Sequence, residues 1–364
     1  MTFAIDWIWW LLALPIAFGL GWLFSRLDVW HWKVESRHQP RAYFKGLNHL
    51  LNGQQDDAVD SFIEAVQNDP DTSELHFTLG NLFRRRGEYD RAVRVHEHLL
   101  ARADLSAPDR ERAQMALAQD YAKAGLLDRA EAAIKGTSLG LASLQSQDAQ
   151  QLLLTIFERG RDWASAEQLA AEMEAKGAAS MDRRRAHYLC EQQLFDAAIA
   201  LSPSSPRPYI EQARKHFDAG DFATSHQLLL LAASQSPQAL SLLASQLWAS
   251  SKTDEQQQAT VRILAKAYDD THSLSVLETL MQTGAAGWTD APAAYAAHLI
   301  KEPSLIAASY LIESPETQAA LKKATEPLKR YRCAACGFEA KQYFWQCPGC
   351  QAWDSYPFKR VEEL

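Results

Sequence analysis

At 364 residues with 47% apolar side chains, the chain has room for two or three domains with true cores. Glycine and proline are not enriched, which argues against a long disordered segment, and a formal net charge of −8 argues against general nucleic-acid binding. Four of the five cysteines crowd into one C-terminal stretch, a usage that fits a reducing compartment.

The first predicted element is a membrane anchor. Trp7 to Phe24 carries no charged side chain and is almost wholly apolar. A span of about 20 residues crosses a bilayer, so this stretch is just long enough. Trp7, Trp9 and Trp10 lie at one end, and Trp22, Trp30 and Trp32 at or beyond the other, as suits two water–lipid interfaces. No cationic n-region or small-residue cleavage site marks a removed signal peptide. Arg26, Lys33, Arg37, Arg41 and Lys45 follow the span and only Asp6 precedes it, which places the long C-terminal part in the cytoplasm. Pro15, Gly19 and Gly21 offer a kink or a close helix–helix approach. The expected divisions are an anchor over 1–25, a juxtamembrane linker over 26–38, a helical array over 39–325 and a terminal domain over 326–364.

The array is read from an internal period. Gly46 to Gly80, Gly53 to Gly87 and Ala58 to Ala92 are each a step of 34 residues, the period of the tetratricopeptide repeat. In each helix pair the first glycine permits close approach, the second opens the turn, and the alanine packs at the crossing. Phe62, Ala65 and Pro70 complete the first unit. Ala118, Tyr121, Gly125 and Ala130 mark a third, and its longer step places an insertion near Leu105 to Asp109. A fourth unit follows around Trp163 and Ala166, a truncated one over Leu189 to Leu201, and a fuller one over His216 to Pro237. From Ala239 to about Leu321 the spacing is amphipathic and helical but carries no clean signature.

Such an array leaves a concave face lined by first helices. Tyr43, Leu47, Phe77, Asn81, Met115 and Gln119 are the expected partner-binding positions, although their apolar members are equally suited to a place between helices. The runs Arg84-Arg85-Arg86 and Arg183-Arg184-Arg185 read as solvated helix ends, and Cys190 as a buried small apolar residue. No phosphate-binding glycine loop, H-E-x-x-H or G-x-S-x-G occurs, so no enzyme is expected. His96 and His98 lie two apart on a predicted helix and make a poor metal pair.

The terminal stretch carries C-x2-C twice, Cys333 and Cys336, then ten residues, then Cys347 and Cys350. Each pair forms a loop that aims two thiolates at one point, and two such loops build a tetrahedral sulfur site for one zinc or iron ion. So short a segment needs a metal to fold. Two disulfides are the alternative. Lys329, Arg330, Arg332 and Lys341 are placed to offset the site's charge, and Tyr331, Phe338, Trp345 and Trp353 to form its small core.

Anchor, array and four-cysteine end, in that order, resemble the lipopolysaccharide assembly protein B family of Gram-negative bacteria. The likeness spans essentially the whole chain. It is most specific in Gly80-Asn81-Leu82-Phe83-Arg84 with Gly87, in Ala124-Gly125-Leu126 with Asp128-Arg129-Ala130-Glu131, and in Tyr331-Arg332-Cys333, Cys336-Gly337-Phe338, Trp345, Cys347-Pro348, Cys350 and Trp353. The chain departs from the family pattern in its shortened unit near Cys190 to Ala198 and in its diffuse later repeats. The resemblance implies a mostly α inner-membrane protein with a rubredoxin-like domain docked on tetratricopeptide repeats. It implies an adaptor that helps a membrane AAA+ protease degrade the lipid A pathway deacetylase, opposed by an inner-membrane regulatory protein. Membrane lipid is a further expected partner, and self-association is left open. The competing expectation is an iron protein that passes electrons to a membrane partner; Gln351, where rubredoxins usually have glycine after the fourth cysteine, tells somewhat against it.

Overall fold

The computed structural model describes Trp22 and residues 41–68, 72–136 and 146–364. The anchor expected over residues 7–24 therefore lies outside the described residues. Among those described, no helix is long and apolar enough to cross a membrane. The chain divides into two compact units at Gly160/Arg161.

The first unit contains α1 (Arg41–Leu51), α2 (Gln55–Asn68), α3 (Ser73–Arg85), α4 (Tyr89–Ala101), α5 (Ala107–Ala124), α6 (Leu127–Lys135) and α7 (Gln147–Gly160). The glycine of the inter-helix turn has φ near +80° at both Gly87 and Gly125, where a side chain would be strained. Ala58, Ala92 and Ala130 are fully buried, as the helix-crossing role requires. Phe62, Leu79, Leu82 and Phe83 fill the core between the first two pairs. The insertion expected near Leu105 to Asp109 falls between α4 and α5, where Ser106 caps α5 by accepting from the Asp109 N–H.

Gly80 shows why close approach is needed. A Cβ there would lie 2.5 Å from the His96 ring. That ring is fixed in turn, because His96 Nδ1 meets one oxygen of Asp120 while Arg84 Nη1 donates to the other at 2.7 Å. His96 and Asp120 are fully buried. Arg84 is thus not a solvated helix end; it neutralises a carboxylate inside the repeat.

The second unit begins with α8 (Trp163–Ala175), α9 (Asp182–Glu191) and the seven-residue α10 (Phe195–Leu201). Proline at 203, 206 and 208 stops α10 and opens α11 (Pro206–Asp218), which accounts for the truncated unit. Then follow α12 (Phe222–Gln235), α13 (Leu240–Ser250), α14 (Asp254–Thr271), α15 (Leu274–Gln282), α16 (Ala291–Lys301), α17 (Leu305–Ser309) and α18 (Pro315–Thr325). The diffuse region is therefore helical, with Leu243, Leu247, Leu264, Leu277 and Leu280 in a continuous core. Arg185 of the second arginine run is also engaged, with Glu167 at 2.7 Å and Glu174 at 2.6 Å. A 3-10 turn (Glu326–Lys329) leads to an antiparallel pair, β1 (Tyr331–Arg332) and β2 (Glu339–Ala340). The four-cysteine end belongs to the same compact unit as α8 to α18.

Candidate metal centre

The two cysteine loops are built alike. After Cys333 the chain turns back so that Gly337 N–H donates to the Cys333 carbonyl, and after Cys347 the Gln351 N–H does the same to its carbonyl. Both turns end in the left-handed region, Gly337 at φ +77° and Gln351 at φ +61°. The substitution of glutamine for the usual glycine thus carries backbone strain. Gln351→Gly should relieve about 1–2 kcal/mol of it against about 0.4–1 kcal/mol of added unfolded-state freedom. The expected result is a small net gain in resistance to chelator-induced unfolding; a clear loss would show that the side chain contributes something the turn geometry does not reveal.

The loops bring Cys333, Cys336, Cys347 and Cys350 together with all four sulfurs within 4.8 Å of one another. The Cys333–Cys350 and Cys336–Cys347 Sγ separations are 3.8 Å and 3.7 Å. A tetrahedron with metal–sulfur bonds of about 2.3 Å has edges of about 3.8 Å, so the four thiols fit one metal ion. None is joined in a disulfide. Burial alone would raise the Cys333 thiol, but the Ser355 hydroxyl at 3.3 Å and the backbone N–H groups of Cys336 and Ala335 bring it down to about 6. An environment that favours thiolate at one corner suits a cation at the centre. Cys190 is the contrast: burial pushes its thiol up to about 12, in keeping with a packed, unreactive residue.

The domain's own core is Tyr356 with Tyr331, Ala340, Tyr343 and Phe344. Of the expected core aromatics only Tyr331 has that place. Phe338 is 43% exposed. Trp345 meets Tyr343 of that core edge-on at 4.9 Å and also packs on the helical core, whereas Trp353 faces the helices. Trp353 stacks on His187 of α9 at 4.8 Å and meets Tyr188 and Trp163 edge-on at 6.0 and 5.9 Å. The Arg207 guanidinium of α11 lies 5.9 Å from the Trp345 ring and 5.5 Å from that of Trp353. The cations near the motif also have other duties: Arg332 pairs with Glu339 at 2.8 Å and Lys329 with Glu326 at 3.4 Å.

Polar contacts complete the docking. Asp354 joins His187 at 2.9 Å and Arg183 at 2.7 Å. Burial disfavours its charge, but His187 and Arg183 outweigh that and hold the carboxyl below the usual aspartate range. Arg360 pairs with Glu278 at 3.0 Å. The last residues then cap two helices. Glu363 accepts from the Leu274 N–H of α15 at 2.7 Å, and Glu362 from the Ile306 N–H of α17 at 2.9 Å. His187, Arg207, Asp354, Glu362 and Glu363 were not singled out by sequence, since each acts on a partner distant along the chain.

The expected partner-binding positions fare unevenly. Tyr43 lies on α1, but its side chain is outside the described residues. Phe77 is 1% exposed and packs with Leu99 and Ala113, so it is core rather than surface. Leu47 is half-buried against the first core. Asn81 is half-buried and bonds the Arg84 guanidinium, so it supports the buried ion pair. Met115 and Gln119 are half-buried on α5.

Fold and site together define a tetratricopeptide-repeat protein that ends in a docked, rubredoxin-like four-cysteine metal domain. The zinc-ribbon family described as "Rubredoxin metal binding domain" matches residues 331–356. Lipopolysaccharide assembly protein B of Escherichia coli is 30% identical over 392 residues, covering 97% of this chain and 98% of that protein. The Haemophilus influenzae protein of the same name is 26% identical over 388 residues, covering 94% and 96%. The chain belongs to the lipopolysaccharide assembly protein B family. Among solved structures, a tetratricopeptide repeat protein from Parabacteroides merdae is 17% identical, covers 67% of this chain and 98% of its own, and has a TM-score of 0.37. One from Thermus thermophilus is 15% identical, covers 62% and 97%, and has a TM-score of 0.29.

Proposed function

We propose that the chain is a non-catalytic adaptor, anchored in the inner membrane by a single N-terminal span with its bulk in the cytoplasm. It presents the lipid A pathway deacetylase to a membrane AAA+ protease and so limits lipopolysaccharide synthesis, with an inner-membrane regulatory protein opposing it. The observation that carries this reading is the donor set at the metal centre. Four cysteines fill a tetrahedral ion and leave no open position for water or substrate, so the metal holds structure beside a binding array. Family membership supplies the connection to lipopolysaccharide.

The test follows the deacetylase. In cells lacking the chain its half-life should lengthen several-fold, and the full chain should restore it. A version with residues 1–25 replaced by an unrelated span of matched length and orientation should restore it only in part, because Pro15, Gly19 and Gly21 suit a helix–helix face. An unchanged half-life in the deletion would remove the adaptor reading, and full rescue by the swapped anchor would reduce that span to a tether.

One observation favours the electron-transfer alternative: Cys336 and Cys350 are exposed, as electron exchange with a partner would require. Protein purified without added metal decides it. A red, reversibly reducible sample supports the iron carrier, and a colourless zinc-loaded one the adaptor.

A further inference from the structure

We propose that the four-cysteine domain is held on the repeats by an acid-labile clasp whose titrating group is His187. The side chain is 1% exposed and lies at the centre of the docking face. Its Nε2 is 2.9 Å from an Asp354 oxygen, and its Nδ1 is 3.3 Å from Arg207 Nη1. A guanidinium only donates hydrogen bonds. Nδ1 must therefore accept, and the proton sits on Nε2, donated to Asp354. This fixes a neutral imidazole of one tautomer, stacked flat on Trp353 with an interplanar angle of 12°. A second proton has only Nδ1 to occupy, and there it would face the Arg207 guanidinium.

The surrounding charges bear this out. On its own helix His187 faces Arg183 and is close to Cys190. From α11 it faces Arg207, whose charge is shared with Glu191 at 2.6 Å and Glu211 at 2.7 Å. From the four-cysteine domain it faces Asp354, the indoles of Trp345 and Trp353 and, around Asp354, the Tyr343 phenol. Burial is the strongest influence and lowers the imidazole's proton affinity. Asp354 opposes this, and Arg207 and Arg183 reinforce it, leaving His187 below its ordinary value of 6.5. A released His187 titrates near that ordinary value. Docking is therefore at full strength above about pH 6.5 and weakens as pH falls below it, since release gains a proton that the docked state refuses. Asp354 acts in the same direction only in a lower window, below its ordinary 3.8. In mild acid His187 is thus the group that opens this face.

The test uses the full zinc-loaded chain, with hydrogen-exchange protection of residues 345–358 and zinc per chain measured on the same samples from about pH 7.5 to about pH 5.5. Protection, corrected for intrinsic exchange, should fall by roughly tenfold per unit of separation between docked and free proton affinities, while zinc stays bound. His187→Phe keeps a ring on Trp353 and removes the titration, so its protection should be flat across the range. Should that variant be undocked already at neutral pH, Asp354→Asn provides the second reading. It keeps an acceptor for Nε2 but removes the charge that favours a second proton, so the docked and free proton affinities separate further and the loss of protection below about pH 6.5 should be larger. Constant protection in the unaltered chain, an identical transition in His187→Phe, an acid loss in Asp354→Asn no larger than in the unaltered chain, or zinc loss in step with deprotection would each overturn the proposal.

Discussion

Cys347→Ser should strip the metal from the C-terminal domain and loosen much of the second unit with it. Cys347 is fully buried at the centre of the site, and three thiolates with a hydroxyl make a far weaker zinc ligand set than four thiolates. Small zinc domains draw roughly 10–16 kcal/mol of folding energy from their metal, more than a core of Tyr331, Tyr343, Phe344 and Tyr356 provides. The loss should not stop at residue 330. Trp353 would leave its stack on His187, and the Glu363 and Glu362 caps would leave α15 and α17. The first unit has its own core and should keep its helices. Zinc per chain, far-ultraviolet circular dichroism and limited proteolysis, on the altered and unaltered chains side by side, provide the check. Equal metal content and equal protease resistance would refute the metal's structural role.

Asp120→Ala should cost the first unit about 3–5 kcal/mol, the usual penalty for orphaning a buried charge. Asp120 accepts from both Arg84 and His96, and among the described residues neither pairs with another carboxylate. Arg84 keeps the Ala116 carbonyl and Asn81 as partners, but its charge would be left uncompensated. Among the described residues His96 has no other side-chain hydrogen bond than the one to Asp120, its Nε2 having no partner, so it would lose that bond. Urea unfolding followed by circular dichroism reads the change. A loss below about 1 kcal/mol would mean that water enters and replaces the carboxylate, contrary to the closed packing around Gly80 and His96. Gly80→Ala tests the same wall from the other side, because its Cβ would meet the His96 ring that Asp120 holds in place.

The parts legible from the sequence are those governed by short-range spacing. The glycine–alanine period reports contacts within one helix pair, and the paired C-x2-C reports one loop each. Both survive in the structure because nothing distant is needed to form them. What was not legible depends on surfaces meeting across the fold. Aromatics beside a metal site ordinarily supply its core, and sequence alone points Trp345 and Trp353 to that place. Trp345 does meet Tyr343 of that core, but both indoles also complete a larger core with His187 and Arg207, which Tyr188 joins through Trp353. Helix position alone points Phe77 to the concave face, yet Leu99 and Ala113 close over it. The late repeats lack signature residues because their packing relies on a general leucine core rather than on glycine-permitted close approach.

The placement of Glu362 and Glu363 bears on how this protein is handled in the laboratory. Leu364 lies one residue beyond the second of these caps. An affinity tag fused there adds a hydrated, mobile polymer beside the starts of α15 and α17 and competes with the turn that presents both carboxylates. A tagged protein that no longer captures its partners would then be reporting a disturbed scaffold, which is easily mistaken for a lost binding surface. An untagged chain, or a protease-removable tag cleaved without residue scars, is the proper reference for every comparison of variants.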